Sequence, residues 1–166
     1  MVGVIGDVTD RRIAKIVLKL QDLPGQSLFQ YLDDEGSVCD VTSQDVNDYL
    51  RKITGEDFTA KDFRTWAGTV LAAIALSTAG AFATKRQAKA NVKNAIEAVA
   101  KILGNTPAVC RECYIHPAVV EAYFKGNSIN DFKAKIEEDE RGIDLVSAQV
   151  AVLELLQNDA STKKAS

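Results

Sequence analysis

At 166 residues, with 46% hydrophobic and 26% charged positions, the chain has the make-up of one globular domain, long enough to bury about two-thirds of its unfolded surface. No apolar run reaches the roughly 18 residues of a membrane span, since the longest, Val70 to Ala83, is broken by Ser77, Thr78 and Gly80. The start MVGVIGDVTD lacks the basic head and apolar core of a signal peptide, so a cytoplasmic protein without membrane contact is expected. The net charge of −3 hides a division. Lys61, Arg64, Lys85, Arg86, Lys89, Lys93, Lys101 and Arg111 face only Asp62 and Glu97 within their stretch, while acid gathers at Asp33-Asp34-Glu35 and Glu137-Glu138-Asp139-Glu140. A local basic excess of this kind can hold phosphates on an acidic molecule; the plainer reading is a solvated lysine-rich helix face.

In chain order, Thr9 or Asp10 can cap a helix carrying Ile13, Ile16, Val17 and Leu20 at helical spacing, stopped by Leu23-Pro24-Gly25. Leu28–Leu32 and Ser37–Val41, joined by Asp33-Asp-Glu-Gly36, read as a β-hairpin. Thr42 or Ser43 caps a helix with Val46, Tyr49, Leu50 and Ile53 on one face and Gly55 past its end. Thr59 is the expected cap of a long helix from Ala60 to about Ser77, its inner face taking Phe63, Trp66, Val70, Ala73 and Ile74. Lys61 and Arg64 then sit in its first turns, where the helix dipole already favours an anion. A further helix from Thr84 to Leu103 buries Val92, Ala95, Ile96, Val99 and Leu103, presents Lys85, Lys89 and Lys93 on the other face, and ends at Gly104. Thr106-Pro107 starts a short helix that must end near Ile115, because Pro117 forces His116 out of helical geometry. Helices are expected over Pro117–Lys125, over Ile129–Glu140 after a Ser128 cap, and over Leu145–Leu156 after a turn at Arg141-Gly142, with a frayed polar tail from Asn158 to Ser166. The fold class expected is mainly α with one small β-hairpin.

Cys39, Cys110 and Cys113 make an odd count, which argues against a disulfide framework. Cys110-x-x-Cys113 followed by His116 invites a zinc reading, but a structural zinc wants four ligands and the chain has no second pair. Two small half-buried side chains on a short helix are expected instead, with no metal and no cofactor. His116 adjoins Tyr114, so a general-base role competes with a helix-start residue holding a local hydrogen bond; the second is favoured. Trp66 reads as core. Gln30 and Tyr31 on the hairpin could touch a ligand, though a hairpin aromatic is more often packing.

The stretch Gly104–Pro117, GNTPAVCRECYIHP, sets Tyr114 just before a proline break, with Arg111 and Asn105 upstream. A phenol ionises near pH ~10 and attacks poorly unless cations offset its charge. Attack on a phosphodiester spreads charge over the non-bridging oxygens, which arginine forks and amide donors can stabilise. Arg64, Asn105 and Arg111 are the candidates for that work. No P-loop, carboxylate metal cage or Ser-His-Asp pattern offers another chemistry. A packing tyrosine beside a surface arginine is the competing reading.

Two stretches together, Lys61-Asp-Phe-Arg-Thr-Trp-Ala-Gly-Thr69 and Leu103-Gly-Asn-Thr-Pro-Ala-Val-Cys-Arg-Glu-Cys-Tyr-Ile-His-Pro117, resemble the catalytic domain of bacterial and poxvirus-type DNA topoisomerase IB. The likeness reaches back through Asp10-Arg11-Arg12, Asp22–Gln26, Leu28–Tyr31 and Ser43–Asn47. It implies a helical catalytic portion over residues 1–126, with 127–166 supplying the C-terminal helices and tail of the same domain. It implies that Tyr114 attacks DNA to leave a 3′-phosphotyrosyl enzyme and that Arg64 clamps the scissile phosphate. Asn105 falls where many relatives carry a histidine that bonds a non-bridging oxygen. Lys61, Lys85, Lys89 and Arg111 would contact DNA. The cut strand swivels and is resealed without ATP or metal, on double-stranded DNA, by a nucleoid-associated monomer. The family also uses an upstream arginine, and a lysine that protonates the departing 5′-oxygen. Met1 to Asp10 holds neither, and the N-terminal DNA clamp has no counterpart here, so weak activity is expected; Lys15, Lys19 or Lys85 are the available stand-ins. Tyrosine recombinases have a related helical domain but a His-x-x-Arg stretch before the tyrosine, whereas His116 follows it. A DNA-binding or interaction module that never cleaves is the alternative from another class.

Overall fold

The computed structural model describes residues 10–24, 27–126, 138–139 and 142–164. They are mainly α-helical, in two compact units that divide between Asp62 and Phe63. Thr9 and Gly25, and most of the helix expected over Ile129–Glu140 with its Ser128 cap, lie outside the described residues.

In the unit before the division, α1 (Arg11–Gln21) starts at Asp10, whose carboxylate accepts the amides of Arg12 and Ile13 at 2.7 and 3.3 Å. β1 (Gln30–Leu32) and β2 (Val38–Asp40) pair antiparallel with Tyr31 opposite Cys39, forming the expected hairpin with shorter strands. Asp33 closes its loop by accepting the amides of Glu35 and Ser37. α2 (Ser43–Thr54) opens on a reciprocal cap: Thr42 accepts the Asp45 amide and Asp45 accepts the Thr42 amide. Neither α1 nor α2 has a buried residue, and Ile16, Leu18, Tyr49 and Ile53 are exposed.

α3 (Ala60–Ala79) begins at the division and supplies one wall of the core of the second unit. Its start differs from expectation in one respect. Thr59 stands at the cap position, its carbonyl accepting the Asp62 amide at 3.0 Å, but its hydroxyl and its amide both donate to the Asp62 carboxylate, at 2.6 and 2.9 Å. Val70 and Ala73 are buried as predicted and Trp66 and Ile74 pack on the core, but Phe63 is half exposed. Phe63 is the first residue past the division, ahead of the buried part of the helix, which runs from Gly68 to Ser77.

α4 (Lys85–Leu103) buries Ala88, Val92, Ala95, Ile96, Val99 and Ala100. Small residues recur on these faces (Ala72, Ala73, Ala88, Ala95, Ala100), which lets helix axes approach closely. Gly104 ends α4 with φ 66°, a conformation glycine takes without cost. Thr106 and Pro107 then start α5 (Pro107–Val109), which widens at once into a π-helical turn, Cys110–Tyr114. α6 (Pro117–Lys125) follows, and α7 (Leu145–Lys164) covers it with Ala148, Ala151 and Val152. Tyr123 of α6 ties the layers: its hydroxyl accepts from Asn91 Nδ2 at 2.6 Å and donates to the Gly80 carbonyl at 2.9 Å.

Two expectations near the C-terminus are corrected. Glu138–Asp139 (β3) is a strand paired antiparallel with Gly142–Ile143 (β4), where a helix reaching Glu140 was expected; the rest of that expected helix lies outside the described residues. α7 runs on to Lys164 rather than fraying from Asn158, because no glycine or proline interrupts it; Ser161 bonds back to the Gln157 carbonyl.

Candidate active site

Three elements of the second unit meet where α4 ends. Gly104 turns the chain so that the Leu103 carbonyl projects beyond the helix, where it accepts from Arg64 Nη2 at 2.7 Å and from Asn105 Nδ2 at 3.1 Å. One acceptor thus gathers an arginine from α3 and an amide from the loop after α4. The Arg64 guanidinium carbon lies 5.1 Å from the centroid of the Tyr114 ring. Arg64, Asn105 and Tyr114 are all partly buried, a setting in which cation–ring attraction is worth roughly 1–2 kcal/mol. Guanidinium carries five N–H donors, so one bond to Leu103 leaves others for an incoming anion.

Tyr114 is the last residue of the π turn, and the chain then becomes extended at Ile115. Such wide turns occur mostly as short insertions, often at functional sites. The backbone on either side is pinned to α3: Thr65 Oγ1 donates to the Cys113 carbonyl at 3.3 Å, and Thr69 Oγ1 accepts the His116 amide at 3.1 Å. His116 itself caps α6, its Nδ1 accepting the Ala118 amide at 3.2 Å, which is the local helix-start role favoured from the sequence. Thr65, Gly68 and Thr69 were not among the predicted site residues. Their signal was present, since the motif through Lys61–Thr69 continues past Arg64 to include all three.

The two cysteines separate. Cys110 is fully buried and Cys113 exposed, and among the described residues no three His, Cys, Asp or Glu side chains gather as a metal site. Burial pushes the Cys110 thiol above its ordinary range, against the opposing charge of Arg64. Cys110 is therefore a core side chain rather than the half-buried one expected.

Lys89 and Arg111 come together on an open groove of about 720 Å³ with Lys93, over a floor of Val92, Ile96, Pro107 and Ala108. Glu97 is also on its rim and pairs with Lys93 at 3.7 Å. Lys85, one turn earlier, is exposed outside this groove. At 1.5 Å per residue, Lys89 lies ~21 Å along α4 from Leu103, the length of about six base pairs of duplex. Lys61 sits on the first turn of α3, before the division, and is exposed.

With this geometry in place, comparison with known proteins decides the family. Residues 4–142 match the catalytic core of eukaryotic DNA topoisomerase I. The chain belongs to this family. It is also similar to a DNA topoisomerase 1B of Acanthamoeba polyphaga mimivirus, with 32% identity over 116 residues that cover 66% of this chain and 34% of the viral protein. The chain thus spans about a third of the length of that topoisomerase.

Proposed function

We propose that this topoisomerase-family chain is the strand-cleaving portion of a type IB enzyme, with Tyr114 as its nucleophile and double-stranded DNA as its substrate. The observation that carries the reading is the meeting of Arg64 from one stretch of sequence with Asn105 and Tyr114 from another, at one carbonyl and one ring. The phenol oxygen attacks phosphorus, the bond to the 5′-oxygen breaks, and a 3′-phosphotyrosyl link forms. Arg64 and Asn105 donate to the non-bridging oxygens as charge builds there, an interaction worth most in the transition state. Reversal by the 5′-hydroxyl reseals the strand after it has swivelled, so neither ATP nor metal enters the balance. Arg111 and Lys89 hold phosphates beside the break, with Lys85 and Lys61 further out, and the protein acts as a monomer in the nucleoid.

The departing 5′-oxygen needs a proton. Lys15, Lys19 and Lys85 are the lysines proposed for that role. With this proton as the limiting need, cleavage of an ordinary phosphodiester is expected to be weak, and the leaving group can be varied to test it. A suicide duplex with sulfur in place of the 5′-oxygen has a leaving group that departs without a proton. The full chain should form a covalent adduct with this duplex at least roughly tenfold faster than with the oxygen duplex. Tyr114→Phe should form none with either. An adduct that survives in Tyr114→Phe would overturn the reading, and so would a wild-type chain that binds the sulfur duplex without ever reacting.

A further inference from the structure

The π turn ends abruptly, and its last carbonyls have no following turn of helix to receive them, because Ile115 is extended and Pro117 lacks an N–H. The groups that reach them come from α3. Thr65 Oγ1 donates to the Cys113 carbonyl, and Thr69 Oγ1 lies 3.5 Å from the Tyr114 carbonyl. The Thr69 hydroxyl has a single proton, and the Thr65 carbonyl at 2.7 Å takes it. Its lone pairs are then turned toward the tyrosine segment, where they receive the His116 amide. Thr69 is only 2% exposed, so its hydroxyl is buried and receives the His116 amide as part of the packed joint.

Gly68 completes the joint. A methyl group there would overlap the Tyr114 carbonyl oxygen and stand 3.2 Å from both its carbonyl carbon and its Cβ. Arg64, Thr65, Gly68 and Thr69 are spaced as one stripe along α3. The stripe holds the Tyr114 backbone at one end and meets its ring with a guanidinium at the other.

We infer that Thr69 and Gly68 are positioning residues for Tyr114: the hydroxyl and the missing side chain together set how far the phenol stands from Arg64. The inference rests on the reading of Tyr114 as the nucleophile. A misplacement of about 1 Å at a reacting group can cost on the order of a hundredfold in rate, so a joint this close to the phenol should act on cleavage more than on binding.

The test is single-turnover cleavage of a saturating sulfur-bridged suicide duplex by the full chain, with DNA affinity and a melting curve for each variant. Thr69→Val keeps the shape but removes the hydroxyl, and Gly68→Ala wedges α3 from the tyrosine segment. Each should slow cleavage roughly 10- to 100-fold with affinity within about twofold, and Thr69→Ser should recover to within about threefold of wild type. Cleavage within twofold of wild type in both Thr69→Val and Gly68→Ala overturns the inference, as does a Thr69→Ser variant no better than Thr69→Val. Should Thr69→Val be unfolded at the assay temperature, Gly68→Ala and Thr69→Ser carry the decision by the same limits. A wild-type chain that forms no adduct fails the reading of Tyr114 instead. The joint is then judged by hydrogen exchange at the His116 amide, which Thr69→Val should speed at least roughly tenfold and which, if unchanged, overturns it as well.

Discussion

Arg64 makes two different contacts, and they predict different losses on substitution. Its Nη2 is spent on the Leu103 carbonyl, while its guanidinium carbon stands over the Tyr114 ring. Lysine would keep the charge but lose both the fork and the stacking plane. Arg64→Ala should therefore cut single-turnover cleavage by roughly 10²- to 10³-fold, as losing one preorganised donor does, with Arg64→Lys recovering only a minor part. DNA affinity should fall less than about tenfold in either, measured by equilibrium binding to an uncleavable duplex. Equal losses in binding and cleavage would make Arg64 an ordinary phosphate contact.

At the scale of the helix, three starts share one device. The carboxyls of Asp10, Asp45 and Asp62 are each held below the ordinary carboxylate range: Asp10 first by the Arg12 amide, Asp45 by the Thr42 hydroxyl, Asp62 by the Thr59 hydroxyl. A lowered folded value means the caps contribute fully above the unfolded carboxylate value of about 4 and lose that contribution as pH falls through the lowered values. Asp10→Asn/Asp45→Asn/Asp62→Asn should melt below wild type near neutral pH, and the two melting temperatures should converge as acidification passes below the ordinary carboxylate range. A gap that stayed constant with pH would show that the three carboxylates act by something other than charge.

Over the whole molecule, the net charge of −3 and the basic groove make opposite forecasts for DNA. Four phosphate contacts, from Lys61, Lys85, Lys89 and Arg111, would give a slope of log affinity against log salt of about −3.6, or on the order of a hundredfold between 50 and 200 mM. Affinity independent of salt would remove duplex DNA as the partner. The core offers a separate probe. Cys110 is buried with its thiol pushed up, whereas Cys113 is exposed, so a thiol reagent at neutral pH should label Cys113 at least ~10²-fold faster and reach Cys110 only on unfolding.

What the sequence by itself determined is the part governed by neighbours in the chain: the cap at Thr42, the start at Thr106-Pro107, stops at Gly55 and Gly104, the proline break after Tyr114, and the helical periodicity that makes the fold mainly α. Each of these depends on hydrogen bonds or sterics within a few residues, so a local reading reaches them. Local reading also misled where tertiary packing was the deciding force. Phe63 follows the helical stripe yet stands half exposed, ahead of the buried part of α3. Only the tertiary structure decided the π turn, the burial of Cys110, and the joint of Gly68 and Thr69 with Tyr114. Residues 45 apart or more meet there, and nothing in either stretch alone states the distance, because that distance is fixed by how closely two helices pack.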